Sequence, residues 1–326
     1  MRIHGDVVRF GVHSGQQYES FGACLELWQR AEELGYDWVS LFDHMRPPLG
    51  GPGGPCLEGP TLLAGLAART QRIRCGLLVL AVPNRHPASM AAIAATLDHV
   101  SGGRLELGLG SGGPDLMYDQ FGWERPAAAD RAVMLDETCR ILRSMWTLES
   151  TDFHGHHYHL RGAHLAPKPL QSHVPLVLGG SGAGVLRAAA RHADIWNTLP
   201  GTPEAYRRLC AALDDQSREA GRELADIRQS ITFRAVLAED ENEARRRREA
   251  LLGHLPPDSP LLDEYLSFGT PEQCVADLAR YAALGVRDFI LGARPPIDWT
   301  TVELVATRVA PALRRVVVEG SSGSGR

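Results

Sequence analysis

Residues 175–198 read PLVLGGSGAGVLRAAARHADIWNT, and the fold turns on how this stretch divides. Residues 175–180 are a short apolar run that ends in two glycines. With no polar residue alternating through it, the run reads as a strand buried on both faces. Residues 183–193 read as a helix and 194–198 as a second buried strand. One module is therefore strand, glycine turn, helix, strand, the repeat unit of a parallel sheet.

The same rhythm extends in both directions. Strand-like runs fall at 7–13, 37–44, 73–82, 104–113, 175–180, 194–198, 227–238 and 286–293. Helical patterns follow at 20–35, 60–70, 87–103, 130–146, 183–193, 203–220 and 299–316. The first places Leu25, Trp28, Ala31 and Leu34 on one face and closes at Gly35. The third has Pro87 in its first turn and glycine at its end. Helix is also expected across 242–281, broken near 254–260, and a small hairpin is inserted at 151–170. Eight strands, each followed by helix, predict an α/β fold, a (β/α)8 TIM barrel with insertion segments. A doubly wound open sheet is the alternative. The barrel is expected to occupy residues 1–318 as one domain, with 319–326 as a disordered tail.

Composition narrows the function. The chain has 326 residues, is 44% hydrophobic and carries a formal charge of −5. No basic stripe suggests nucleic acid, and no apolar run is long enough to span a membrane. The densest basic run, ARRRREA at 244–250, follows AEDENE on what reads as a mixed-charge, solvated helix face. Lys168 is the only lysine, which points to a GC-rich bacterial genome. The six cysteines lack a C-x-x-C pair and fit reduced thiols in a cytoplasmic protein.

In such a barrel the active site lies at the C-terminal ends of the strands. Reading those ends in order gives His13 after the first strand, then Asp43 and His44 after the second. GLGSGG (108–113) follows the fourth and GGSGAG (179–184) the fifth; Arg294 follows the eighth. GGSGAG opens a helix, so its N–H groups suit an anion such as phosphate. It matches neither a Walker A loop nor a dinucleotide fingerprint. GLGSGG has no helix directly behind it and suits the face of a planar ring, where a Cβ would clash. Together the two loops suit a planar heteroaromatic cofactor with one phosphate, a flavin mononucleotide or a deazaflavin. His154, His156, His157 and His159 lie in the inserted hairpin without a carboxylate partner, so no metal is expected there.

DHMRPP, the stretch from RIRCGLLVLAVPNRHPASM through RLELGLGSG, RILRSMW, APKPLQSHVPLVLGGSGAGVLRAAARHADIWN and FGTPEQCVADLARYAALGVRDFIL occur in this order over nearly the whole chain. In these it resembles the luciferase-like monooxygenase family, in particular the branch that uses the deazaflavin coenzyme F420. The resemblance implies a cofactor ring in the barrel mouth and its phosphate at Gly179, Gly180, Ser181 and Gly182. It implies a non-proline cis peptide near Leu78–Val79 behind the ring, ring contacts from Asp43 and His44, and cofactor contacts at Ser111 and Gly112. His44 is the expected proton donor, with Asp43 adjusting its charge. His13 and Arg294 are expected to meet substrate, Arg294 by pairing a carboxylate.

The resemblance implies an F420-dependent oxidoreductase moving a hydride between the ring and a C=C, C=N or carbinol group. The substrate would be a small or peptide-like metabolite, in bacterial secondary metabolism, and the enzyme a homodimer. An FMN monooxygenase and a non-catalytic flavin-binding relative are the alternatives. Sugar-phosphate dehydrogenases of this branch carry a Glu and a Trp where this chain has Gly113 and Pro48, which argues against that substrate.

Overall fold

The computed structural model describes residues 7–48, 53–112, 115–252 and 265–323. Gly113, residues 49–52 and the break expected near 254–260 lie outside the described residues. The strands are β1 (Arg9–Ser14), β2 (Trp38–Leu41), β3 (Arg74–Ala81), β4 (Leu105–Gly110), β5 (Thr151–His154), β6 (His159–Ala163), β7 (Leu176–Gly179), β8 (Ile195–Thr198), β9 (Arg228–Leu237), β10 (Tyr265–Gly269) and β11 (Val286–Ala293). Eight of them pair in parallel in the order β1-β2-β3-β4-β7-β8-β9-β11, and β11 returns to β1, closing the (β/α)8 barrel. β5 and β6 form the antiparallel hairpin expected in the insertion.

The helices are α1 (Phe21–Glu33), α2 (Gly59–Ala67), α3 (Pro87–Ser101), α4 (Asp115–Phe121), α5 (Ala128–Thr147), α6 (Ala183–His192), α7 (Pro203–Glu219), α8 (Glu241–Leu252), α9 (Pro271–Ala282), α10 (Trp299–Leu304) and α11 (Ala310–Gly323). None among the described residues is long and apolar enough to cross a membrane. Lys168 serves the structure: its ammonium donates to the carbonyls of Met145 and Leu148 at the C-terminal end of α5, where cations are favoured.

Two expectations change. The helical material expected across 242–281, broken near 254–260, instead includes a strand: α8, β10 and α9. The reason is local: Thr270 accepts from the Gln273 N–H while Gln273 reaches back to the Thr270 N–H, and Pro271 follows. That capping box starts a new helix and stops the preceding residues from joining it. YLSFG (265–269) is then free to extend β9 outside the barrel. At the other end α11 continues to Gly323, past the boundary at 318 where a tail was expected. A π-helical turn at Val305–Val309 joins it to α10.

The barrel floor is ionic. Arg9 donates to Asp288 of adjacent β11 at 2.9 and 2.6 Å, and across the lumen to Glu106 of β4 at 2.8 Å. Arg74 reaches the same Glu106 carboxylate at 2.5 Å, and Arg228 reaches Asp288 at 2.7 Å. Glu106 and Asp288 are each 1% exposed. Burial alone would expel these charges; mutual pairing keeps them. Above them lie Trp38 and Ile290, which fit because Gly11 carries no side chain: a Cβ there would stand 2.9 Å from Ile290 and 3.3 Å from Trp38, while one on Gly76 would meet the Glu106 carbonyl at 2.0 Å. Glu106→Gln strands Arg9 and Arg74 against half a partner. It should lower the unfolding free energy in urea by about 3–5 kcal/mol.

Candidate active site

A cavity of about 340 Å³ opens at the C-terminal ends of the strands, bounded by Asp43, His44, Leu78, Val79, Ser111, Gly112, Gly179, Gly180 and Gly182 among others. These nine residues, anticipated separately from sequence, are brought together here. Ser181 is exposed between Gly180 and Gly182 and does not border the cavity. His13 and Arg294 do not border it either. The peptide Leu78–Val79 is cis. The β3–β4 pairing shifts register between Leu77 and Leu80, so Leu78 and Val79 bulge out of the ladder.

The glycines have two different reasons. A Cβ on Gly110 would lie 2.4 Å from a Val79 methyl, and one on Gly179 would lie 2.7 Å from the other. A Cβ on Gly112 would lie 2.6 Å from the Tyr118 hydroxyl. These three glycines therefore make room for the protein's own side chains, where the sequence reading assigned the strand-four glycines to a cofactor ring. Gly182 differs, with no atom within 4 Å of the place its Cβ would take. It is the N-cap of α6 and supplies no side-chain cap, so the first N–H groups of that helix stay available. The adjoining turn is held firmly: Gly180 N–H donates to the Asn197 carbonyl and the Trp196 indole N–H to the Gly180 carbonyl, both at 2.9 Å. The site fits a phosphate at the α6 terminus.

Asp43 and His44 have separate surroundings. Asp43 is 5% exposed, and Arg85 donates to its Oδ1 at 2.9 Å and its Oδ2 at 2.7 Å. The Ala81 N–H and the Asn84 amide also donate to Oδ2. Burial pushes the carboxyl up from its ordinary value, and Arg85 opposes that through hydrogen bonds and charge. His44 is pushed down, by burial alone. Its imidazole packs edge-on against Phe42, with centroids 5.1 Å apart. The expectation that Asp43 adjusts the charge of His44 is thus corrected: the carboxylate is bonded to Arg85, and the histidine is held neutral by its apolar surroundings. The backbone beneath the pair is fixed by Gln16, which bonds both the carbonyl and the N–H of Phe42, and by Cys56, whose thiol donates to the His44 carbonyl.

His13 lies beyond Phe42, 6.4 Å between ring centroids, and its Nδ1 is 2.9 Å from the Ser40 hydroxyl. Strand register sets His13 beside Ser40 on one side and Gly292 on the other. The stem of Arg234 crosses over Gly292, its Cγ 3.4 Å from where a Cβ would be. Burial, then the charges of Arg234 and Arg294, then His44, hold the His13 ring down to about 3. Arg234, Arg85, Asn84 and Gln16 are participants that the sequence reading missed. For Arg85 a signal existed, since a buried acid at a strand end calls for a cation and PNRHP supplies one on the next strand exit. Among the described residues no cluster of His, Cys, Asp or Glu suits a metal.

Three comparisons bear on this site. A family model described as luciferase-like monooxygenase matches residues 5–265. The F420-dependent glucose-6-phosphate dehydrogenase of Microbacterium testaceum is 28% identical over 94% of this chain and 98% of its own length. The pyrimidine monooxygenase RutA of Acinetobacter baylyi is 32% identical over 70% of this chain and 63% of its own. Among solved structures, the coenzyme F420-dependent tetrahydromethanopterin reductase of Methanopyrus kandleri superposes with a TM-score of 0.79 at 19% identity, covering 94% of this chain and 99% of that one. At that identity the likeness is one of fold.

The unfolded His13 ring takes up a proton near its ordinary value, about 6.5, whereas the folded ring stays neutral down to about 3. Acid therefore favours the unfolded chain, by at most ~1.4 kcal/mol per pH unit. His13→Asn should flatten the fall in melting temperature between about pH 6.5 and about pH 4.5. An unchanged slope would remove His13 from the acid response.

Proposed function

The chain belongs to the luciferase-like monooxygenase family, and from that premise we propose that it is an F420-dependent oxidoreductase acting on a small or peptide-like metabolite. The observation that carries the reading is the joining, in one cavity, of an open helix N-terminus, the Leu78–Val79 bulge and a neutral histidine. When bound, a deazaflavin supplies two-electron hydride transfer to or from a C=C, C=N or carbinol group. The chain's residues supply the rest. The α6 N–H groups with Gly179, Gly180, Ser181 and Gly182 hold the phosphate, and Leu78 and Val79 support the ring from behind. His44 handles the proton that accompanies the hydride. His13, packed against Phe42 of the cavity wall, and Arg294, whose charge acts on His13, contact the substrate, Arg294 through a carboxylate.

The low affinity of His44 for protons sets a direction. A neutral imidazole is ready to accept a proton when an alcohol is oxidised, and must first be charged to donate one in a reduction. Oxidation should therefore hold a plateau through neutral pH, and reduction should quicken as pH falls below the ordinary histidine range. The proposal extends to a homodimer in the cytoplasm, serving bacterial secondary metabolism. A second reading, an FMN monooxygenase, is favoured by the 32% identity to the pyrimidine monooxygenase.

Titrating the protein with F420 and with FMN, each followed by absorbance and fluorescence, separates the readings. Tight F420 binding supports the first and a preference for FMN the second; binding without turnover leaves a flavin-binding relative. With bound F420, His44→Ala should slow turnover roughly 10²-fold or more. Full turnover in that variant would remove His44 as the proton carrier.

A further inference from the structure

Asp43 borders the cavity and accepts four hydrogen bonds from the protein, from the Ala81 N–H, the Asn84 amide and, twice, the Arg85 guanidinium. Three of these reach Oδ2 and only one reaches Oδ1, so Oδ1 keeps acceptor capacity. Arg85 is 13% exposed at its side chain and has a second acid on its other side, Glu58, whose Oε1 accepts at 2.5 Å. Glu58 in turn caps α2, its Oε2 accepting from the Thr61 N–H at 2.7 Å. One guanidinium thus ties together the exit of β2, the turn after β3 and the first turn of α2. The turn after β3 continues from the Leu78–Val79 bulge, and its Asn84 also receives the Tyr118 hydroxyl of α4 at 3.3 Å. The charged and titratable groups facing Asp43 are Arg85, Glu58 and Tyr118.

We propose that Arg85 is a positioning residue of the cofactor site: its Nη1, shared between the two Asp43 oxygens, fixes the carboxylate at the cavity wall as an anion, leaving Oδ1 to accept a hydrogen bond from the cofactor ring. The inference rests on the functional reading above, in which the ring occupies this cavity. It assigns Asp43 the role of a fixed acceptor and Arg85 that of the residue that sets its charge. Arg85 itself need not touch the ring. Without the guanidinium, the buried carboxyl has lost its counter-charge while Glu58 still repels it, and it takes up a proton at higher pH. The protonated form has lost the acceptor strength of a carboxylate.

The decisive measurement is the dissociation constant of F420 for the wild-type chain, Arg85→Gln, Arg85→Lys and the Asp43→Asn backgrounds, from about pH 6 to about pH 9. Taking each variant as a ratio to wild type cancels the cofactor's own ionisation. For Arg85→Gln the ratio should be roughly tenfold at the acid end and fall towards one as Asp43 ionises. Arg85→Lys, which keeps the charge, should stay near one throughout. In the Asp43→Asn background, adding Arg85→Gln should leave the ratio independent of pH. A second readout needs no cofactor. The folded carboxyl of Arg85→Gln binds its proton more tightly than the unfolded one, so the variant's stability deficit should grow as pH rises from about 5 to about 8. A deficit that is flat with pH, together with a flat F420 ratio, is the signature of mere scaffolding and overturns the role of Arg85 alone. A wild-type chain that binds no F420 overturns the functional reading and this role with it.

Discussion

The Arg9 guanidinium spans the barrel lumen, bonded to Asp288 on the neighbouring strand and to Glu106 on β4, from which β2 and β3 separate it. A closed parallel sheet must fill its interior, and this one fills the bottom with charge. Buried ions tolerate little displacement, because each lost hydrogen bond exposes a charge to a medium that cannot solvate it. The pairing therefore fixes the register of β1, β4 and β11 relative to one another, and Arg74 and Arg228 extend the constraint to β3 and β9. What happens at the mouth follows from that register. Residues on a strand alternate in direction, so Arg9, Gly11 and His13 share the interior face.

Filling the lower layers also determines where space remains. Trp38 and Ile290 lie above the ions, Gly11 gives them room, and Gly76 lets the Glu106 carbonyl approach. On the β3–β4–β7 side of the mouth, β3 leaves the ladder at Leu78 and Val79, and Val79 settles against Gly110 and Gly179. The cavity is therefore shaped by an interior side chain that rests where neighbouring strands have none. Replacing either glycine would move Val79 before it touched any ligand. The two glycine-rich loops look alike in sequence, and Gly110 of one and Gly179 of the other both make room for Val79, yet only the second ends in an open helix terminus.

Much of this was legible in the sequence because it is local or periodic. Buried parallel strands advertise themselves as unbroken apolar runs, and eight of them in alternation with helices leave few ways to close. The strand ends then name their own rim residues, which is why Asp43, His44 and the glycine loops are legible as rim residues from sequence alone. The less legible parts depend on pairing across long sequence separations. Arg85 meets Asp43 from 42 residues away, and nothing in PNRHP indicates which acid it will find. β10 was hidden for the opposite reason: a five-residue run between two helical stretches fits either state, and only the capping box at Thr270–Gln273 divides them.

Asp43 and His44 show how one strand end serves two opposed electrostatic needs. Neighbouring residues leaving a strand point in different directions, so adjacency in sequence does not make them partners. Asp43 turns towards a cation that lowers the cost of its burial, and His44 turns against Phe42, where charge is penalised. A carboxylate bonded to the imidazole would raise the histidine's proton affinity; Arg85 removes that influence by taking the carboxylate for itself. The arginine thereby pairs the carboxylate while the neighbouring imidazole packs on Phe42.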